Sequence, residues 1–270
     1  MRLRNIPAEL APSVVNSIDR RLADIAQTNR VRIVLAIESG SRAWGFPSPD
    51  SDYDCRFIFM RSLDQYLSPW QRRDVIETPL DPVLDINGWE LGKALKLLLK
   101  GNAVFLEWLQ SPIVYDGDAA FRSEMLQFAR DHTERSLIGR HYLHLGERQQ
   151  RVYFGDGKDV PLKKIFYALR PAATLRWLRL RPAQSFAPMH FPTLISECEP
   201  PPDVASIVDD LMHRKAVTRE LGSAALPEPI RAFIDSEFDQ ARLTFGDRRI
   251  TLSPTGVMAA EELFRRYVQG

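Results

Sequence analysis

The chain reads as an α+β protein: a segment that mixes strands with helices, followed by an all-helical segment. Two apolar runs of strand length, residues 31–38 (VRIVLAIE) and 53–60 (YDCRFIFM), fall within the first 60 positions. From about residue 116 onward the strand signal disappears and long amphipathic stretches at helical spacing replace it. Between the two regimes lies a change of composition near residues 112–117, which predicts domains over 1–115 and 116–270.

Residues 13–27 place Val14, Ile18, Leu22 and Ile25 at helical spacing with polar positions between them. The strand at 31–38 then runs into a loop rich in Gly, Ser and Pro at 39–51, and the second strand follows. A short strand at 73–77 and a further one at 83–88 precede two helices, 90–100 stopped by Gly101 and a second capped by Asn102 and ending at Gln110. In the helical segment the periodicity predicts helices over 118–150, 162–180, 204–221, 228–242 and 257–268. Pro171 is expected to kink the second, and Pro188, Pro192 and Pro200 to Pro202 mark a loop.

A net charge of +1, from 36 basic and 35 acidic residues, excludes a uniformly basic nucleic-acid coat but leaves room for a local patch. Two cysteines, Cys55 and Cys198, cannot build a disulfide framework, which fits a reducing cytoplasm. The N-terminus is too poor in apolar residues for a signal peptide, and the apolar run at 97–99 is flanked by Lys96 and Lys100, so no membrane span is expected. The five histidines include His141 and His144, three apart on one helix, without a cysteine or third histidine nearby to complete a zinc set. No Walker A loop or GxGxxG is present.

Chemistry concentrates in 38–46 (ESGSRAWGF) and 51–54 (SDYD). Side chains alternate along a strand, so Asp52 and Asp54 are expected to share a face. Two adjacent carboxylates repel unless a cation sits between them, and Mg²⁺ or Mn²⁺ takes carboxylate oxygens together with substrate phosphates. Gly40 and Ser41, at a strand end, offer close backbone approach and N–H donors suited to a phosphate.

Gly40-Ser41, ten residues, then Asp52-Tyr53-Asp54 resembles the signature of the DNA polymerase beta-like nucleotidyltransferase superfamily. The wording is most similar to a bacterial and phage branch of nucleotidyltransferases linked to RNA repair. That resemblance continues through 74–77, 90–100 and 102–112 and extends to 163–170. It implies a small mixed sheet with helices on one face, a helical second domain, and two-metal transfer of a nucleoside monophosphate from a nucleoside triphosphate to an acceptor hydroxyl. It also implies a third carboxylate that joins Asp52 and Asp54 as a metal ligand, holding the metal that activates the nucleophile and assisting proton removal. Asp85 in VLDIN is the first candidate, Glu77 and Asp81 are the reserves, and the alternative is that Asp85 opens a turn.

Other residues carry two readings each. Glu38 either orients the loop through backbone N–H groups or ends the strand in solvent. Arg42 either pairs with a phosphate or forms a structural ion pair, and Trp44 and Phe46 either stack on a base or pack the loop. Between Pro161 and Pro182 stand six basic residues and no acid; Lys163, Lys164, Tyr167 and Arg170 form a candidate clamp on the triphosphate, against a plain solvated helix face. Two rival functions stand beside the enzyme: a catalytically silent nucleotide- or RNA-binding module, and an antitoxin-like protein acting on a partner protein. The acceptor, RNA among the candidates, and the oligomeric state are not encoded legibly.

Overall fold

The computed structural model describes residues 1–79, 81–155, 159–219, 221–246 and 251–270. Its elements in chain order are β1 (Arg2–Asn5), α1 (Pro12–Asn29), β2 (Val31–Glu38), α2 (Gly40–Ala43), β3 (Tyr53–Arg61), α3 (Leu63–Tyr66), β4 (Val75–Glu77), β5 (Leu84–Glu90), α4 (Leu91–Leu99), α5 (Ala103–Gln110) and β6 (Val114–Asp118). There follow α6 (Ala119–His132), α7 (Arg135–Tyr153), β7 (Val160–Pro161), α8 (Leu162–Leu180), α9 (Phe191–Cys198), α10 (Pro202–Val217), β8 (Ser223–Ala224), α11 (Glu228–Phe245) and α12 (Pro254–Gln269).

The sheet has the order β1-β6-β2-β3-β5-β4; β3 and β5 run parallel and the other neighbours antiparallel, so it is mixed. The alternation of β3 decides what each face does. Tyr53, Cys55, Phe57 and Phe59 pack with Val15, Ile18, Leu22 and Ile25 of α1. Ile58 and Met60 point the other way, into a core shared with α4, α5, α6 and the later helices. Helices therefore cover both faces rather than one, because α1 buries its own apolar stripe against the sheet.

Asp118 links sheet to helices: at the end of β6 its carboxylate accepts the N–H groups of Ala120 and Phe121 and caps α6. The stretch expected to join the two segments is itself a sheet strand, and the position between 115 and 116 falls inside β6. The expected helix 118–150 is two, because Thr133 and Glu134 are both extended. A helix begins at Phe191 where a loop is expected, with Pro192 in its first turn, where a missing N–H costs nothing. Residue 220, at the end of the expected helix 204–221, lies outside the described residues.

α8 continues through Pro171 and is mostly buried. Acids from other elements answer its arginines: Glu237 of α11 accepts from Arg176 and Arg179, and Glu197 of α9 lies 3.8 Å from Arg181. Arg170 reaches Glu107 of α5, with Nη2 at 2.7 and 2.9 Å from the two carboxylate oxygens. Tyr142 of α7 donates to the same carboxylate at 2.8 Å and Trp44 at 3.3 Å. Arg170 and Glu107 are nearly inaccessible, so each charge depends on protein partners rather than on water.

Removing one member of a buried pair strands the other charge. Arg170→Met is expected to cost about 3–5 kcal/mol in urea unfolding. Pairing it with Glu107→Gln should recover part of that loss.

Candidate active site

The Gly-Ser turn is built against β3. The N–H of Ser39 donates to the Asp54 carbonyl at 2.8 Å. Gly40 has φ +60°, and a Cβ there would lie 2.0 Å from Asp54 Oδ2, so only glycine lets the carboxylate come this close to the turn. The following loop closes on itself. Ser41 Oγ is 3.0 Å from Ser51 Oγ, and Arg42 donates to the carbonyls of Ser51 (2.6 Å) and Asp52 (3.1 Å) while lying 3.9 Å from the centre of the Tyr53 ring.

The register of the parallel pair sets Asp54 directly beside Asp85. Their neighbours Tyr53, Cys55, Leu84 and Ile86 face α1, which puts Asp54 and Asp85 on the opposite face. Asp85 is thus a strand residue and not the opening of a turn. Asp52 stands one residue before β3, exposed at its mouth. Glu77 pairs with Arg73 on the edge strand, and Asp81 binds Arg21 and the N–H groups of Val83 and Leu84, so neither reserve candidate joins the cluster.

Arg56, two residues along β3, completes the group. Its Nη2 lies 3.0 Å from Asp54 Oδ1 and 2.6 Å from Asp85 Oδ2, and its Nη1 donates to the carbonyls of Cys55 and Asp85. Asn87 holds the other Asp85 oxygen at 3.1 Å. Burial raises the Asp54 pKa most; Arg56 opposes this, and the charges of Asp85 and Asp52 add to it. Among the described residues no group of three His, Cys, Asp or Glu is arranged to hold a metal. The donor set fits one hard cation on Asp52 and Asp54, whose mutual repulsion it would relieve, while Asp85 already has a protein donor on each oxygen.

Glu38 is fully buried, which removes the solvated reading. Its carboxylate accepts from the Asp54 N–H at 2.9 Å and from Tyr115 OH at 2.6 Å. Burial pushes its pKa from the ordinary 4.5 to about 7, against the pull of those two donors.

A cleft of about 360 Å³ opens beside the turn, lined by Ser39 and Trp44 on one side and by Lys164, Tyr167 and Arg170 of α8 on the other. Lys164 Nζ lies 4.7 Å from the Tyr167 ring centre and 5.0 Å from that of Tyr153. Lys163 points elsewhere, 3.1 Å from Asp50. Phe46 packs the loop onto the helices, 4.7 Å from Phe166 and 5.2 Å from Phe191 between ring centres. Lys215 of α10, buried, donates to the Phe46 carbonyl at 2.6 Å, and burial lowers its pKa to about 8. His141 lines the cleft as a neutral residue, its pKa lowered by burial.

Sequence reasoning missed Arg56, Asn87, Tyr115, Glu107 and Lys215. Arg56 and Asn87 were within reach of the same two-residue alternation that selects Asp54 and Asp85. Tyr115, Glu107 and Lys215 carry no local signal, since their partners are between 35 and 169 residues away.

The Gly-Ser turn seated on Asp54, with Asp85 beside it across a parallel pair, is the arrangement that the resemblance to the DNA polymerase beta-like superfamily implies. The profile described as RlaP, RNA repair pathway DNA polymerase beta family, matches residues 14–266, and the chain belongs to that family. It is 41% identical over 222 residues to the uncharacterized protein YcgL of Bacillus subtilis (strain 168), covering 81% of this chain and 83% of that protein. A crystal structure of a nucleotidyltransferase-like protein from Exiguobacterium sibiricum 255-15 superposes with a TM-score of 0.35 at 10% identity, over 86% of this chain and 77% of that one. No helix among the described residues is long and apolar enough to cross a membrane.

Gly40→Ala is expected to lower stability by about 1–2 kcal/mol from the left-handed backbone alone, and further by displacing Asp54. A thermal melt reads the loss; an unchanged melting temperature contradicts the close approach. Glu38, with a folded pKa above its unfolded value, contributes stability that is full below about pH 4.5 and falls as pH rises to about 7. Glu38→Gln should abolish that component, roughly 3 kcal/mol across the window. Urea unfolding at a series of pH values checks it, and parallel profiles for the two proteins would refute it.

Proposed function

We propose that the protein is a nucleotidyltransferase that moves a nucleoside monophosphate from a nucleoside triphosphate to an acceptor hydroxyl. The observation that carries this reading is Asp54 beside Asp85 at the Gly40 turn, on the open end of a sheet face otherwise covered by helices. The family's description favours a hydroxyl on RNA as the acceptor.

In this reading Asp52 and Asp54 hold Mg²⁺ or Mn²⁺, which when bound supplies positive charge to the phosphates. Gly40 and Ser41 present backbone to the phosphate chain. Lys164 and Tyr167 contact the nucleotide from the cleft wall, where the side chains of α8 face Ser39. Arg170, held by Glu107, keeps Trp44 at that wall through its guanidinium, 4.1 Å from the indole centre. Arg42 and Lys163 keep the loop shut, through the Ser51 carbonyl and Asp50 respectively. Asp85 takes the acceptor proton in this reading, a role supported by its place beside Asp54 and by Arg56, which orients it. Positioning and electrostatics supply most of the rate in such transfers.

One observation favours a binding-only site: both Asp85 oxygens have protein donors. Transfer of label from an α-labelled triphosphate to RNA in the presence of Mg²⁺ separates the two readings. Wild type should label RNA and Asp54→Asn should not. Both proteins labelling equally sinks the site; neither labelling any acceptor, while triphosphate still binds, leaves the silent module. Divalent cation and triphosphate together should stabilise the protein beyond the sum of each alone, because each completes the other's ligand shell. Scanning fluorimetry should show this excess, and Asp54→Asn should lose it.

A further inference from the structure

Away from the carboxylates, the far end of β3 opens into a groove of about 940 Å³ between the segment 61–74 on one side and α4 and α12 on the other. Its charges are unevenly satisfied. Each acid in the lining is engaged: Asp74 binds Lys93, Glu261 binds Arg265, and the buried Glu90 accepts from Tyr66 OH at 2.5 Å. Arg73 is paired with Glu77. The exposed Arg72, Lys96 and Lys100 have no ion-pair partner among the described residues. The surplus is local, because the whole chain carries only +1.

An indole stands in the same groove. Of the five tryptophans only Trp70 is exposed, at 81%. Three unanswered cations and an open indole match a flexible polyanion with aromatic faces: the cations track phosphates and the indole receives a base. An acidic peptide would use the cations and leave the indole idle.

We propose that this groove is a docking site for single-stranded RNA, holding a stretch of the acceptor distant from its reacting end. The inference rests on the transferase reading for the word acceptor, but the binding itself does not. From Arg61 to Asp54 is seven residues of strand, about 23 Å at the usual rise, so the docked stretch and the reacting hydroxyl sit at opposite ends of β3.

Fluorescence anisotropy with a labelled 12-nucleotide RNA, across a salt series, tests it on the full chain. Three phosphate contacts predict that Arg72→Ala, Lys96→Ala and Lys100→Ala together reduce the slope of log affinity against log salt by about 2. Trp70→Ala alone should weaken binding by at least about 5-fold without changing that slope. A thermal melt confirms that these surface variants fold. An unchanged slope in the triple variant overturns the groove as the RNA site. A reduced slope with full affinity in Trp70→Ala also overturns the proposal, because the cations would then hold phosphate with no base on the indole. If RNA binds the groove as stated but is never labelled, the transferase reading fails and the docking site stands. If RNA is labelled with equal KM by wild type and the triple variant, the docking site fails and the transferase stands.

Discussion

Three carboxylates and one guanidinium at the mouths of β3 and β5 set the terms for the rest of the molecule. Asp52, Asp54 and Asp85 repel one another, and Asp54 already bears the largest desolvation among its influences. Without Arg56 the parallel pairing of β3 with β5 would force two carboxylates together on one face without the guanidinium that bonds both, leaving Asp54 the weaker pull of Arg42. A guanidinium does this better than an ammonium, since one planar group bonds Asp54, Asp85 and two backbone carbonyls together. The turn follows from the same constraint: Asp54 leans toward residue 40, and that residue must be glycine.

Glu38 extends the cluster inward. It ties the Asp54 backbone to Tyr115 on β6, so the position of the catalytic candidate depends on a strand distant in the chain. The contacts that fasten the helices to the same loop include Glu107 with Arg170 and Trp44, Asp50 with Lys163, the Phe46 carbonyl with Lys215, and the Phe46 ring with Phe166 and Phe191. The cleft beside Ser39 exists because these contacts hold α8 across from the turn. Rotation of α8 would therefore disturb the loop as well as the cleft wall.

What the sequence disclosed follows from which forces act locally. The strands at β2 and β3 and the helix α1 were legible because alternation and helical period are properties of short windows, whereas Asp85 was sought beside Asp54 only because the resemblance implies a third carboxylate. β6 was not, since Val114 to Asp118 contains Gly117 and two acids and is a strand only because β1 and β2 flank it. The basic run of α8 suggested a clamp because its counter-charges are remote: Glu107, Glu197 and Glu237 come from α5, α9 and α11. The stretch without acids is thus largely a buried hub, with Lys164 and Tyr167 left at the cleft. β3 begins at Tyr53, as its apolar run indicates, so Asp52, expected to share a face with Asp54, precedes the strand instead.

The proposed function requires Asp52 and Asp54, backed by Arg56 and Asp85, to take a divalent cation. Electron paramagnetic resonance of Mn²⁺ titrated into the protein, without nucleotide, addresses it most directly. The account predicts one bound Mn²⁺ per chain in wild type, loss of that site in Asp54→Asn, and tighter binding in Arg56→Met, where a competing positive charge is gone. Wild-type protein that binds no Mn²⁺, or an Asp54→Asn spectrum identical to wild type, would contradict it.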